Sequence, residues 1–508
     1  MKKLKDLLST LAVTMLLIAS GIAQVPLKTE KEPCIPCEEL KNLSIPEVII
    51  TETETIKDGV HYCKIRGLIG KEINFELQLP DRWNSRYIMQ GNGGFAGSIH
   101  VNPDFAKKGY ASSGTDTGHK GNGLKADWAL NNMERQLNFG HMAVHRTSVI
   151  SREIIRQYYG SDSEFSYFIG CSRGGGQAMM EAQRYPEDFD GIVCGAPAFN
   201  WPAIGAEFIQ NSRACYPDAS KINESVISRA NLELLQNLVL DQCDAVDGIT
   251  DRILNDPRDC DFNFDLLPIC PENTEGDDCF TPVQIEAIKL IYAGVSNQKG
   301  PIYPGFPLGG ENENGGWFHW IVGPAPATLE LNFPSAQFGF GTEMFKYLIY
   351  HDPDWDYQDH DFSNFFEDTR FASSFLDATS TDYSDFKALG GKMIIFHGWN
   401  DPALSAFSTI EHYEAAKQED SNLEDCVRLF LLPGVLHCGG GPGPQQVDWL
   451  ELIQDWVEKG NAPERVLVSK KMDGKVVMTR PILPFPRKSI YDGSGDPMLE
   501  SSFIEEKE

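Results

Sequence analysis

The sequence predicts an α/β protein, a largely parallel sheet flanked by helices and interrupted by one large inserted domain. Three observations carry that expectation. Strand-like and helix-like runs alternate up to Pro197, the composition then changes over residues 200–385, and the alternation resumes near Lys392.

Residues 24–60 read as an extended lead-in. Residues 71–80 and 86–89 alternate apolar and polar side chains as strands do. The second run opens into Gly91-Asn92-Gly93-Gly94-Phe95-Ala96-Gly97, too rich in glycine for a regular element. Residues 138–159 place Met142, Val149, Ile150, Ile154 and Ile155 at spacings that suit one buried helical face. A strand at 165–169, a sharp turn at 170–174, a helix at 175–185 and a buried strand at 191–194 follow. Asp, Asn, Pro, Gly and Trp then dominate, with Cys243, Cys260, Cys270 and Cys279 closely spaced. Residues 392–396 and 428–432 are clean apolar strands, and 445–459 is a helix. The expected division is an export signal at 1–23, a first α/β part at 24–199, an inserted lid domain at 200–385 and a second α/β part at 386–508. An insert of about 190 residues has ordinary domain size.

The export signal rests on Lys2, Lys3 and Lys5, the mostly apolar run 7–19, and the small pair Gly21 and Ala23. The run is shorter than the roughly 18–20 apolar residues that span a bilayer, and no later stretch reaches that length. A mature chain starting near Gln24 with no membrane span, secreted or periplasmic, is the expectation; a retained anchor is the alternative. Twelve cysteines suit an oxidising compartment. Cys34 and Cys37 form a lone CxxC, so a paired zinc-ligand set is excluded. A net charge of −29 argues against nucleic acid as a partner. With 41% hydrophobic and 23% charged residues, global disorder is excluded.

Gly170-Cys171-Ser172-Arg173-Gly174 matches the G-x-S-x-G elbow that holds a serine at the tip of a strand, and the flanking strand and helix are the context it requires. Serine needs a base, and the base needs a carboxylate to fix its tautomer. Two later strand ends supply them. Residues 393–396 lead to Asp401 and residues 429–432 to His437, in the chain order serine, acid, histidine. His397 is the rival base, but it precedes the acid and fits better as a pocket residue. Asp116, His119, His141 and His145 lie upstream of Ser172 and read as structural. The oxyanion hole calls for the Arg173 N–H and a second amide from the loop 91–97.

Cys171-Ser172, Asp401 and His437-Cys438 resemble the paired-cysteine triad of the tannase and feruloyl esterase family, which includes a bacterial hydrolase of terephthalate monoesters. The resemblance spans about residues 63–486. It implies an α/β-hydrolase fold and a disulfide between Cys171 and Cys438. It makes Gly94 the second oxyanion donor, the insert a lid, and carboxylic esters of phenolic acids, feruloyl or galloyl, the substrates. No organic cofactor is required.

Within the insert, Asp244, Asp247 and Asp251 are closely spaced carboxylates of the kind that suit a hard cation such as calcium. By resemblance, Ile249 and Ile253 add backbone oxygens, although the glycine usual at the Arg252 position is absent. A twelve-residue EF-hand is not supported, since its terminal Glu and helix–loop–helix frame are missing. Proximity and resemblance pair Cys243 with Cys260 and Cys270 with Cys279, and join Cys63 to Cys34 or Cys37. Cys194, Cys215 and Cys426 stay unassigned. Trp317, Phe318 and Trp320 read equally as stacking residues for an aromatic acyl group and as insert core. The Asp- and His-rich stretch 351–362 reads as a solvated loop. A serine peptidase or acyltransferase on the same fold, and a non-catalytic binding protein, are the other classes the sequence leaves open.

Overall fold

The computed structural model describes residues 30–506 apart from 273 and 360. The expected export signal lies outside the described residues. Among the described residues, no helix is long and apolar enough to cross a membrane.

Strands β1 (Val48–Asp58), β2 (Val60–Ile69), β3 (Ile73–Pro80), β4 (Arg86–Gln90), β5 (Ala111–Thr115), β6 (Phe165–Ser172) and β7 (Gly191–Pro197) precede the insert. The insert carries a short hairpin, β8 (Val295–Asn297) and β9 (Gly300–Tyr303), and is followed by β10 (Lys392–Gly398) and β11 (Val427–Leu432). The main sheet runs β1-β2-β3-β5-β4-β6-β7-β10-β11. Its β1–β2, β2–β3 and β3–β5 pairs are antiparallel, and every pair from β5–β4 to β10–β11 is parallel.

Adjacent residues in the central strands point to opposite faces, as the two-residue pleat requires. Met89, Phe168, Ile192 and Ile395 pack with Ile154 and Ile155 of the helix Ala143–Tyr159, while Ile88, Tyr167, Val193 and Ile394 pack on Ile453 and Trp456. Both faces are covered, so these strands read as continuous apolar runs.

The sequence reading missed β1, β2 and β5. The segment expected as a lead-in is partly the long edge hairpin β1–β2. Ala-Ser-Ser-Gly-Thr in β5 carries almost no apolar signal, yet all five residues are buried because β3 and β4 flank it. The helix expected from 138 opens as a π-helical turn, Asn138–Met142.

β7 and β10 are neighbours in space although nearly two hundred residues separate them in sequence. The intervening helices, among them Trp201–Cys215, Arg229–Cys243, Ala336–Met344 and Phe365–Leu376, share one core. That core is continuous with Phe95, Phe139, Ala403 and Leu404 of the sheet-bearing segments. The insert therefore packs against the loops that follow β4 and β10. Beyond β11 lie the helix Trp449–Lys459 and the hairpin β12 (Val466–Met472) with β13 (Lys475–Ile482).

Among the described residues there are four disulfides, Cys37–Cys63, Cys171–Cys438, Cys243–Cys260 and Cys270–Cys279. The choice left open for Cys63 falls on Cys37. Cys34, Cys194, Cys215 and Cys426 are free thiols, the last three buried.

Candidate active site

Ser172 ends β6 and caps the helix Arg173–Arg184 with φ 62° and ψ −121°, a backbone state that non-glycine residues adopt only under constraint. The flanking glycines make the turn possible. A Cβ on Gly170 would lie 2.3 Å from the Gly174 carbonyl oxygen, and one on Gly91 only 2.7 Å from the Gly174 Cα. The helix starts two residues earlier than expected, so Arg173 is its first residue and its N–H belongs to the unpaired first turn.

His437 follows β11 and donates from Nδ1 to Asp401 Oδ2 at 2.8 Å. Asp401 is 1% exposed, and its Oδ1 accepts the Ala403 and Leu404 amides at 2.8 and 3.0 Å. Burial opposes ionisation of Asp401, but His437 and His397 outweigh it and hold the carboxyl well below the usual carboxylate range. With Nδ1–H committed to Asp401, a neutral His437 keeps its lone pair on Nε2.

Ser172, Arg173, Gly94 and His437 line one cavity, closed by Ala198, Trp201, Ile204, Phe208, Trp320, Phe340, Met344, Ala403 and Leu404. Ser172 and His437 make no direct hydrogen bond among the described contacts. The Cys171–Cys438 bridge, Cα–Cα 6.0 Å, ties the loops that carry them.

The family described as tannase and feruloyl esterase matches residues 59–505 of this sequence. The chain belongs to the tannase and feruloyl esterase family. It is similar to the mono(2-hydroxyethyl) terephthalate hydrolase of Piscinibacter sakaiensis, with 31% identity covering 87% of this chain and 84% of that one. Feruloyl esterase B of Aspergillus niger is 28% identical, covering 90% and 89%. Among solved structures, feruloyl esterase B from Aspergillus oryzae superposes with a TM-score of 0.81 at 23% identity over 92% of this chain and 99% of that one. Tannin acyl hydrolase from Aspergillus niger gives 0.74 at 20% over 93% and 95%. These two superpositions bear on the fold alone, an α/β-hydrolase fold. As a member of this family, the protein is a carboxylic-ester hydrolase.

Several neighbours of this family member's site escaped the sequence reading. The Asn92 N–H donates to Gln177 Oε1 at 2.9 Å, Gln177 Nε2 returns a bond to Asn92 Oδ1 at 3.2 Å, and Asn92 Nδ2 donates to the Thr115 carbonyl at 2.8 Å. The glycine loop is thereby hung from the elbow helix. His119 stacks on Trp128, ring centroids 3.7 Å apart, and its Nε2 reaches the Phe95 carbonyl at 2.8 Å, beside Gly94. Burial draws its pKa down to about 4, so the ring is neutral and Nε2 is the donor. Gly94 itself has φ 54°, and a Cβ there would meet the Gly123 oxygen at 2.3 Å.

Two residues expected at the pocket, His397 and Trp317, stand away from it. His397 lies on β10, fully buried, and does not line the cavity. Its Nε2 faces two acceptors, Asp401 Oδ2 at 3.2 Å and the Leu404 carbonyl at 3.0 Å, so it carries the proton, while Nδ1 meets Thr409 Oγ1 at 2.9 Å. It orients the acid. Trp317 is 2% exposed and packs on Tyr292 at 5.0 Å in the insert core. Trp320 does line the cavity, with its ring edge-on to His437 at 5.0 Å.

The acidic loop of the insert is partly neutralised from within the chain. Asp244 Oδ1 accepts the Arg252 amide at 2.8 Å, Asp247 Oδ1 the Ile249 amide at 3.0 Å, and Asp251 pairs with the buried Arg480 of β13. Arg252 takes φ 65°, so the loop's curvature survives without glycine. Desolvation pushes Asp247 up to about 6, and repulsion from Asp251 adds to it. Asp251 is raised too, by burial first and by Asp244 as well. Desolvated carboxylates that raise one another's pKa are a donor set that a hard cation would relieve.

Among the described residues, the three ligand-type atoms that all lie within 4.8 Å of one another belong instead to His145, Glu181 and Asp188. Asp188 there is already matched by His145 at 2.7 Å and Arg152 at 2.5 Å. Burial and Asp188 push the Glu181 carboxyl well above the ordinary range.

Proposed function

We propose that this family member is a secreted or periplasmic serine esterase acting on carboxylic esters of aromatic acids, with Ser172 as nucleophile, His437 as base and Asp401 as its orienting acid. The observation that carries the reading is the His437–Asp401 bond placed on a cavity shared with a serine in a strained elbow. His437 Nε2 takes the Ser172 proton as Oγ attacks the ester carbon, and the carbonyl electrons move to an oxygen held by the Gly94 and Arg173 N–H groups. Collapse expels the alcohol, which His437 protonates; water then repeats the sequence and releases the acid.

Residues 200–385 act as a lid between the α/β parts 24–199 and 386–508. Asp244, Asp247 and Asp251, with the carbonyls of Ile249 and Ile253, hold a structural calcium ion. Four disulfides favour an oxidising destination. Aromatic acyl groups are supported by the Trp201, Phe208, Trp320 and Phe340 walls and by relatives named feruloyl esterase B and terephthalate hydrolase. Beyond Ser172, Arg173, His437 and the indole N–H groups of Trp201 and Trp320, the cavity walls are apolar, which favours feruloyl over the three-hydroxyl galloyl group. As it stands the cavity holds about 30 Å³, so an aryl group enters only when its walls open.

Ser172→Ala and His437→Ala should each lower kcat by roughly 10⁴–10⁶-fold with the fold intact. A phosphonate should label Ser172 and no other residue. Retained esterase activity in the Ser172→Ala variant would end this reading, and faster turnover of amides or transfer to alcohols would favour a peptidase or acyltransferase.

A further inference from the structure

The residue after the elbow serine carries more chemistry than its amide. The Arg173 guanidinium is 1% exposed, an expensive place for a cation unless its surroundings replace water. Nη2 donates to the Phe139 carbonyl and, at 2.9 Å, to the Gly140 carbonyl, both in the π-helical turn Asn138–Met142. The guanidinium carbon lies 4.4 Å from the Phe139 ring centroid and 5.1 Å from that of Trp201. Nε and Nη1 have no partner.

These contacts reach both ends of the insert. Trp201 opens its first helix and is a wall of the cavity. The Trp201 N–H donates at 2.8 Å to Asp377 Oδ1, just past the helix Phe365–Leu376; burial draws the Arg173 pKa down to about 9, and Asp377 partly offsets that. The Ala378 N–H donates to the Phe199 carbonyl at 2.9 Å, closing the two chain crossings on each other. Gly140 abuts the same helix end, where a Cβ would meet the Phe375 oxygen at 2.3 Å.

We propose that the Arg173 side chain is a positioning residue, whose guanidinium pins the root of the insert to the elbow and so fixes both the Arg173 N–H and the Trp201 wall. The proposal rests on the serine-esterase reading above. One residue supplies a main-chain donor and, through its own side chain, the anchor that stops that peptide plane from turning. A lysine carries the charge but not the planar guanidinium, whose carbon faces the Phe139 and Trp201 rings while Nη2 reaches both carbonyls. A misplacement of about 1 Å at a catalytic group costs on the order of 10²-fold in rate.

The test uses the full chain with Arg173→Met and Arg173→Lys, active sites counted by phosphonate titration, below each variant's melting temperature. Both variants should lose about 10–100-fold in kcat on an aryl ester, with KM within about threefold. A boronic acid, which becomes a tetrahedral anion on Ser172, should lose affinity by the same factor, while inhibition by the product acid stays unchanged. An unaltered kcat per titrated site overturns the proposal. So does an equal loss for boronate and product acid, and so does failure of both variants to fold, which would make Arg173 a folding residue. Phosphonate labelling of the parent at Ser172 keeps a failure of the esterase reading distinct from a failure of this one.

Discussion

The Cys171–Cys438 bridge can be broken with little change in volume by Cys171→Ser/Cys438→Ser. Its ends lie 267 residues apart in sequence and 6.0 Å apart at Cα. Chain-entropy reasoning for so long a loop gives about 5–6 kcal/mol of stabilisation. The nested bridges Cys243–Cys260 and Cys270–Cys279 shorten the loop little and change that by only about 0.1 kcal/mol. Residual order in the denatured chain lowers the measured value, so about 3–5 kcal/mol is expected from denaturant unfolding. The kinetic effect has a separate cause. The bridge adjoins Ser172 on one side and His437 on the other, and those two residues rely on it because they share no direct hydrogen bond among the described contacts. Loosening it should lower kcat by on the order of 10²-fold at temperatures where circular dichroism still reports the folded state. Non-reducing peptide mapping of the parent should recover the two cysteines in one fragment. Free thiols at both positions in active enzyme would refute the bridge, and a double variant with parental kcat would refute its role in alignment.

Other expectations test single neighbours of the site. His397→Ala should cut kcat by about 10–100-fold with KM unchanged, because the ring orients Asp401 without reaching the cavity; a KM effect alone would mean it touches substrate. Asp401 is depressed in the fold, so its contribution is present above the ordinary carboxylate pKa of about 3.9 and is lost as pH falls through the lower folded value. Removing His397 should move that acid loss to higher pH in denaturation curves. Gln177→Met should lower kcat about tenfold or more by freeing the loop 91–97, and parental kinetics would show that the loop holds itself. Chelation should lower the melting temperature and Asp247→Ala should abolish the response to added calcium; a chelator-insensitive, metal-free protein would remove calcium from the account.

The proposed triad residues could be named from sequence because each stands just beyond a short apolar run, and in a parallel sheet those ends gather on one edge. Local sequence was enough to single out Ser172, Asp401 and His437 as candidates, and proximity with family resemblance paired the cysteines of the two short-range insert disulfides. It was not enough for β5, whose Ala-Ser-Ser-Gly-Thr is buried only because strands from elsewhere flank it. Nor could spacing assign His397, since its task depends on the Leu404 carbonyl and Thr409 hydroxyl that fix which nitrogen bears the proton.

The sequence by itself determined the α/β rhythm, the change of composition after Pro197, and a serine, an acid and a histidine in hydrolase order. Those are properties of short windows, set by periodicity, turn chemistry and chain order. Tertiary structure alone decided that Trp320 faces the cavity while Trp317 is core, that Asp251 has Arg480 as a partner, and that Arg173 reaches Phe139 and Trp201. Each of these pairs side chains separated by tens to hundreds of residues. Such contacts arise from how packed surfaces meet, and no local pattern encodes them.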